Sequence, residues 1–216
     1  MDRRRWRSMI YFIADTHFDH TNIIKYCNRP FRNVQAMNQA LVSNWNRTVK
    51  PSDTIFFLGD WSFGEDSRPV GYWIKQLNGN IITIKGSHDI GVRARNSQII
   101  NCGYLKFLLI HDPEQVPKDW KGWVIHGHKH NNDANYPFID GRNKTVNVSV
   151  EVIGYKPLSL DKLVSLDIDS IARMKTVNSK AERMLRQRDT PKYRVVPKHT
   201  RLLPANHSLQ IAVGRG

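Results

Sequence analysis

The sequence has few of the features that mark membrane, secreted or disulfide-stabilised proteins. Its longest apolar runs are only a few residues long, far below the ~20 residues that a transmembrane helix needs. The apolar stretch at residues 9–14 ends at Asp15 and is shorter than the core of a signal peptide. Two cysteines, Cys27 and Cys102, are too few for a disulfide framework. We therefore expect a cytoplasmic protein that does not bind a membrane, and the sequence leaves its oligomeric state open.

Acidic residues are scarce at the two ends of the chain, whose 216 residues carry a formal net charge of +14. Residues 1–9 hold four arginines and one aspartate, and residues 171–216 hold eleven Lys or Arg and two acidic residues. Residues 10–170 keep 18 basic against 16 acidic residues. We interpret 1–9 as a basic extension, 10–170 as one domain, and 171–216 as a basic, partly disordered tail with a helix at 174–188. Such ends are typical of solvated segments, and nucleic-acid binding through them is the alternative.

Apolar periodicity predicts an α/β domain between these ends. A helical pattern of Val, Met, Leu and Trp predicts a helix at 34–48, and weaker patterns predict a helix at 69–77 and a short helix or strand at 158–166. Short β-prone runs predict strands at 10–14, 54–58, 81–85, 104–110, 122–125 and 145–150.

Five of these strands run directly into aspartate or histidine, and the carboxyl ends of strands in an α/β sheet meet at one edge. Imidazole and carboxylate donors without thiolate suit Zn²⁺, Mn²⁺, Fe or Ni²⁺. Their number suits two ions that share a carboxylate rather than one tetrahedral ion. The residues concerned are Asp15, His17, Asp60, His88, His111, His128 and His130. The sequence therefore predicts a dinuclear metal site.

The order of these motifs resembles the five blocks of the calcineurin-like metallophosphoesterases. The blocks are Asp15-x-His17, Gly59-Asp60, Gly86-Ser87-His88-Asp89, His111 and Gly127-His128-x-His130. The loops around residues 14–18 and 28–31 are similar to those of small bacterial and phage members. The resemblance covers residue 10 to about residue 168. It implies a four-layer αββα sandwich, in which two mixed β-sheets pack face to face and helices flank them.

The resemblance also implies two sets of metal ligands. Metal one would be held by Asp15, His17, Asp60 and His130. Metal two would be held by Asp60, Ser87, His111 and His128, with Asp60 bridging the ions. Mn²⁺ is the most expected ion. A hydroxide shared by the two ions would attack the phosphorus of a phosphate-ester substrate.

Two catalytic residues follow from the same resemblance. His88 would hydrogen-bond the phosphoryl group and protonate the leaving oxygen, and Asp89 would orient the His88 ring. Ser87 stands where the family usually has asparagine, and a hydroxyl is a poorer neutral ligand than an amide carbonyl. The second metal is therefore expected to bind weakly, or with a water in this position.

Other residues near the strand ends have competing interpretations. His20 and Arg29 could contact a substrate phosphate, and surface placement is the alternative. His126 is expected in the core. The tryptophans at positions 61, 120 and 123 are expected to pack rather than to stack a nucleobase.

The main interpretation is a metal-dependent phosphoesterase acting on phosphodiester or phosphomonoester bonds. The sequence has no obvious inserted cap domain, which leans towards diesters. The alternative is a nucleic-acid-binding protein with a weakened metallophosphoesterase site.

Overall fold

The computed structural model describes residues 8–177, 194–197 and 209–214, and two β-sheets organise them. The strands are β1 (Ile10–Ile13), β2 (Thr54–Phe57), β3 (Asn80–Thr83), β4 (Ser97–Cys102), β5 (Leu105–Ile110), β6 (Trp123–His126), β7 (Ile139–Asp140), β8 (Thr145–Asn147), β9 (Leu158–Ser159), β10 (Arg173–Met174), β11 (Arg194–Pro197) and β12 (Leu209–Gly214). The helices are α1 (Ile23–Tyr26), α2 (Val34–Thr48), α3 (Val70–Ile74) and α4 (Leu160–Ser165), with 3₁₀ turns at Pro113–Gln115 and Ile168–Ser170.

The first sheet has the strand order β3-β2-β1-β9, in which only β9 is antiparallel to its neighbour. Helix α2 covers it and begins where the Asn33 side chain accepts a hydrogen bond from the Ala36 amide at 2.8 Å. Its apolar stripe buries Met37, Leu41 and Trp45. Within the described ranges, no helix has the length and apolar character needed to cross a membrane.

The second sheet has the strand order β10-β7-β8-β6-β5-β4-β12-β11 and is also mixed, with β5, β6 and β8 parallel. The two sheets meet where β1 ends. There the Ala14 amide donates to the Val148 carbonyl at 3.0 Å, and the Val150 amide donates to the Ala14 carbonyl at 3.2 Å. This contact brings the ends of β1, β6 and β8 to one place.

The predicted fold class of two mixed sheets with flanking helices is confirmed. The helix predicted at 34–48 is α2, and both alternatives for 158–166 occur in succession, as β9 and then α4. The helix predicted at 69–77 is shorter, and α1, β4 and β7 were not predicted. Helix α1 has four residues, too few to show a helical period, and β4 mixes Ser, Gln and Asn with its apolar residues.

Described residues beyond residue 170 pair with strands of the second sheet. Strand β10 pairs with β7, and the Val177 amide donates to the Val152 carbonyl at 3.2 Å. The helix predicted at 174–188 is therefore wrong at its start, because Met174 is paired in a strand. Residues 178–188 lie outside the described residues, as do residues 1–7. Strand β12 pairs with β4 in parallel and with β11 in antiparallel fashion.

Candidate metal centre

The strand ends bring six carboxylate and imidazole side chains into two compact groups. Within each group, one donor atom per residue lies within 4.8 Å of the others. The first donor group is Asp15, His17 and His130, and the second donor group is Asp60, His111 and His128. The members follow strands β1, β2, β5 and β6, as the sequence predicts, although those strands belong to two sheets.

Asp60 lies between the two donor groups. Its Oδ2 atom is 3.5 Å from Nε2 of His17 and 3.4 Å from Nε2 of His111. Its Oδ1 atom accepts a hydrogen bond from the His88 amide at 2.9 Å. One carboxylate oxygen is thus shared by both groups, as expected for a ligand that bridges two cations.

The His17 ring shows that these side chains suit a cation. Both of its nitrogens are buried and have no hydrogen-bond partner among the described residues. Burial lowers the pKa of His17 to about 3, so the ring is neutral and keeps a free lone pair. A buried polar atom without a partner destabilises a fold, and a divalent cation that accepts imidazole and carboxylate donors satisfies it. The residues therefore fit a divalent metal ion.

The negative charge of Asp60 makes the second donor group attractive to a proton or a metal cation. Burial opposes a charge on His111, but Asp60 and Asp15 outweigh it and raise the pKa of His111 to about 9. Burial likewise favours neutral Asp60, yet His111 and His17 hold the pKa of Asp60 below its usual range. The Asp60 carboxylate thus stays ionised and attracts either a proton on His111 or a metal cation, whereas burial raises the pKa of Asp15.

The backbone is left-handed at five of the six donor residues, all except His111. Positive φ angles occur at Asp15 (59°), His17 (46°), Asp60 (63°), His128 (68°) and His130 (49°). Such angles cost on the order of 1–3 kcal/mol for a non-glycine residue and cluster at functional sites. They turn the backbone sharply after strands β1, β2 and β6, so that the side chains of these residues point into a common space.

Two glycines permit the close approach of these turns. A Cβ atom at Gly127 would lie 2.5 Å from Cβ of Ala14 and 2.6 Å from Oδ2 of Asp15. At Gly59, φ is +94° and a Cβ would lie 2.6 Å from Nδ1 of His111. Gly59 is therefore required by space and by backbone angle, and Gly127 is required by space.

A buried ion pair stands behind His130. The Nδ1 atom of His130 lies 3.1 Å and 3.2 Å from the two carboxylate oxygens of Glu151, and Arg29 approaches the same carboxylate to 2.6 Å. Burial alone would raise the pKa of Glu151, but Arg29 and His130 lower it to about 2. Burial opposes charge on His130 as well, yet Asp15 and Glu151 raise its pKa to about 11. Glu151 therefore orients the ring so that its Nε2 faces the first donor group.

Arg29 is a correction to the sequence analysis. It was expected to contact a substrate phosphate, or else to lie on the surface, but the side chain is buried. Besides pairing with Glu151, it donates to the backbone carbonyls of Asp15 and Thr16, each at 2.8 Å. The guanidinium points inward because its N–H groups donate hydrogen bonds to a buried carboxylate and two backbone carbonyls. Glu151 was missed, and the only signal was one acid within the apolar run 148–153.

Asp89 is a second correction. Its carboxylate accepts hydrogen bonds from the amides of Asp60 (3.0 Å), Trp61 (3.0 Å) and Gly86 (2.9 Å). Within the described part of the chain, it makes no hydrogen bond to His88. Asp89 therefore fixes the loops after β2 and β3, and the orientation of His88 has another origin.

The remaining predicted site residues lie at the solvent-facing edge of the two donor groups. His88 is exposed, with Nε2 3.9 Å from Oδ2 of Asp60. Ser87 is exposed and, with His111, lines a polar cavity of about 440 Å³. The half-buried ring of His20 lies 5.5 Å from that of His17. Ligation by Ser87 and phosphate contact by His20 stay predictions.

The core interpretations of the other aromatic residues agree with the structure. His126 is fully buried, and its Nδ1 donates to the Gly127 carbonyl at 2.9 Å. Trp61 is fully buried and stacks on Phe57 at 3.5 Å between ring centroids. The Trp123 indole donates to Asp169 at 2.9 Å.

Comparisons of sequence and of structure find proteins that are similar to this chain. An uncharacterized protein of Methanocaldococcus jannaschii is 46% identical over 173 residues, which cover 78% of this chain and 96% of that protein. The crystal structure of a protein of unknown function from Aquifex aeolicus matches with a TM-score of 0.58 at 27% identity, over 74% of this chain and all of that one. A predicted phosphoesterase from Streptococcus pneumoniae is more distant, with a TM-score of 0.34 at 16% identity over 66% of this chain and 71% of the other.

The family comparison covers most of the sequence. The model of the calcineurin-like phosphoesterases matches residues 8–209, a span that contains all five motifs and both donor groups. The chain belongs to the calcineurin-like phosphoesterase family.

Proposed function

We propose that this protein hydrolyses phosphodiesters with the help of two divalent cations. The observation that carries the proposal is the position of Asp60, whose Oδ2 atom lies 3.5 Å from His17 and 3.4 Å from His111. A carboxylate shared in this way supports two cations close enough to act on one phosphoryl group.

Each ion would have its own set of protein ligands, with Asp60 common to both. Asp15, His17 and His130 would hold the first ion, His111 and His128 the second, and Asp60 both, while Ser87 would add at most a weak ligand to the second ion. When bound, the two cations would neutralise charge on the phosphoryl oxygens and acidify the attacking water. Mn²⁺ is our first choice among the ions that this donor set accepts.

His88 is the proposed proton donor. Its ring is exposed and its Nε2 lies 3.9 Å from Asp60, so it can reach a phosphoryl group bound at the two donor groups. It would hydrogen-bond a phosphoryl oxygen and donate a proton to the leaving oxygen. Arg29 and Glu151 would hold the loop of Asp15 and the ring of His130 in position.

The space around the site supports a diester. A phosphodiester carries two organic groups, and the donor groups have a cavity on one side and exposed aromatic rings on the other. The polar cavity of about 440 Å³ beside Ser87 and His111 lies on one side. The exposed rings of Tyr26 and Phe63 lie on the side of His17 and His20.

Turnover of two chromogenic substrates tests the proposal. Bis(p-nitrophenyl) phosphate and p-nitrophenyl phosphate are compared side by side with added Mn²⁺, together with the Asp60→Asn variant as a control. We expect turnover of the diester to exceed that of the monoester and to disappear in Asp60→Asn. Faster turnover of the monoester would contradict the diester assignment, and no turnover of either substrate with any tested cation would contradict the enzyme.

The alternative is a nucleic-acid-binding protein that uses its basic ends. The net charge of +14, concentrated in residues 1–9 and 171–216, favours it. Steeply salt-dependent binding of nucleic acid by a full-length protein without phosphoesterase turnover would establish this alternative.

A further inference from the structure

Two aromatic side chains are exposed beside the first donor group. The exposed fraction is 64% for Tyr26 and 40% for Phe63. Both rings contact His20, with centroid distances of 6.1 Å and 4.8 Å. We call Tyr26, Phe63 and His20 the aromatic rim. Because the His20 ring is 5.5 Å from that of His17, the rim borders the metal centre directly.

The aromatic rim has features that are typical of a ligand-binding surface. Large apolar rings that stay exposed next to a polar cleft are typical of ligand contacts. Within the rim, Nδ1 of His20 is buried and has no hydrogen-bond partner among the described residues. Phe63 also approaches the proposed proton donor His88, with the ring centroids 4.5 Å apart. A ligand on the rim would thus lie beside the residue that acts on the leaving group.

Exposed side chains of both signs lie near the rim in the sequence, among them Glu65 and Asp66, and two lysines are available to pair with a phosphate. Lys25 precedes Tyr26 in helix α1 and is exposed, and Lys85 lines the cavity on the far side of the donor groups. Most of the net charge of +14 belongs to residues 1–9 and 171–216, and it attracts a polyanion to the protein as a whole. A ligand that combines flat aromatic groups with a run of phosphates fits these features, because bases stack on protein rings and phosphates pair with lysine.

We propose that the aromatic rim stacks one unpaired base of a single-stranded nucleic acid and so sets the adjacent phosphodiester over the two donor groups. A double helix does not fit, because its bases already stack on one another and present no free face. The placement of the phosphodiester rests on the proposed phosphodiesterase activity, whereas the stacking itself does not.

Fluorescence of a base analogue provides the test. A ten-nucleotide deoxythymidine strand carries 2-aminopurine at its centre, where its neighbours stack poorly, and phosphorothioate linkages that slow its hydrolysis, and it is titrated with the full-length protein in Mn²⁺. Stacking quenches 2-aminopurine. We expect quenching with the wild type, a Kd weakened about 5- to 100-fold in Phe63→Ala, and near-normal affinity in Phe63→Trp, which keeps an aromatic face.

The matched controls are a distant aromatic residue and an altered strand. Tyr104 is 68% exposed and contacts Asp169, so Tyr104→Ala removes an exposed ring elsewhere and should leave the Kd unchanged. A strand that lacks its bases, measured by its competition with the labelled strand, should bind the wild type as weakly as the intact strand binds Phe63→Ala. An unchanged Kd in Phe63→Ala, equal loss in Tyr104→Ala, or full affinity for the abasic strand would each overturn the rim.

Two further measurements separate this inference from its premises. A 2-aminopurine dinucleotide that binds as tightly as the ten-nucleotide strand would overturn the assignment to nucleic-acid strands. Turnover of bis(p-nitrophenyl) phosphate is measured with the same preparations. Base-dependent binding without turnover would contradict the proposed enzyme and support the rim, and normal turnover without base-dependent binding would contradict the rim alone.

Discussion

The two donor groups are built from similar side chains but supported differently. His130 of the first group contacts Glu151, a buried and ionised carboxylate that also forms an ion pair with Arg29. His111 of the second group donates from Nδ1 to the uncharged Leu58 carbonyl at 2.7 Å, and the group opens to solvent beside Ser87. A fully ionic support raises the basicity of an imidazole ligand more than a carbonyl does. We therefore expect the first ion to bind more tightly than the second.

The largest effect should come from the residue that the two groups share. In Asp60→Asn, both ions lose a charged ligand, and turnover should fall by several orders of magnitude together with metal content. The exposed Asp119 supplies a matched control, since Asp119→Asn removes the same charge away from the site. Metal analysis and kcat with Mn²⁺ are the measurements. Near-normal turnover in Asp60→Asn would rule out a bridging role.

His88 should separate catalysis from metal binding. General acid catalysis is worth typically 10²–10⁴-fold, so His88→Ala should lower kcat in that range and leave metal stoichiometry intact. The loss should be smaller for a p-nitrophenyl ester than for an alkyl ester, because p-nitrophenolate leaves without a proton. Loss of an ion in His88→Ala would instead make His88 a ligand.

Glu151 tests the supported group alone. Glu151→Gln keeps an acceptor for His130 but removes the charge, and disturbing such a partner typically lowers metal affinity about 10- to 100-fold. Isothermal titration should show weaker binding of the first ion and unchanged binding of the second. Equal weakening of both ions would contradict the difference between the groups.

The stability of the same variant has its own control. Breaking one side of a buried ion pair costs about 3–5 kcal/mol, and Glu151→Gln leaves Arg29 without its counter-charge. The pair between Lys129 and Glu114 has an exposed carboxylate, and such pairs contribute about 0–1 kcal/mol. The free energy of unfolding, measured in urea, should therefore fall much more in Glu151→Gln than in Glu114→Gln.

Ser87 should give the smallest effect and only on the open group. An asparagine carbonyl reaches further than a hydroxyl, so Ser87→Asn should let activity saturate at a lower Mn²⁺ concentration. Ser87→Ala should change the second ion only modestly, because water replaces a weak ligand. Identical saturation curves for the wild type and both variants would mean that Ser87 does not touch an ion.

The sequence predicted residues that the structure brings together in the two donor groups, but not the residues that support them, for a physical reason. Strand ends can be recognised locally, and aspartate or histidine at such ends indicates metal binding. The pairing of Arg29 with Glu151 joins residues 122 positions apart, and no local pattern predicts it. An arginine in a loop is also more often exposed than buried.

The family resemblance was misleading at Asp89. It implies that Asp89 orients the His88 ring, yet the oxygens of Asp89 accept hydrogen bonds from three backbone amides. Among the secondary-structure elements, α2 could be predicted because fifteen residues show several turns of its periodicity. The two-residue strand β7 is defined only by its pairing with β8 and β10.

The left-handed turns at the donor residues matter for any attempt to make this protein resistant to heat. Glycine adopts such angles without side-chain strain, so His128→Gly or His130→Gly can relax the backbone while it deletes a metal donor. A library screened for thermal tolerance without added metal would therefore enrich substitutions that dismantle the centre. Directed evolution of this fold needs a turnover assay from its first round.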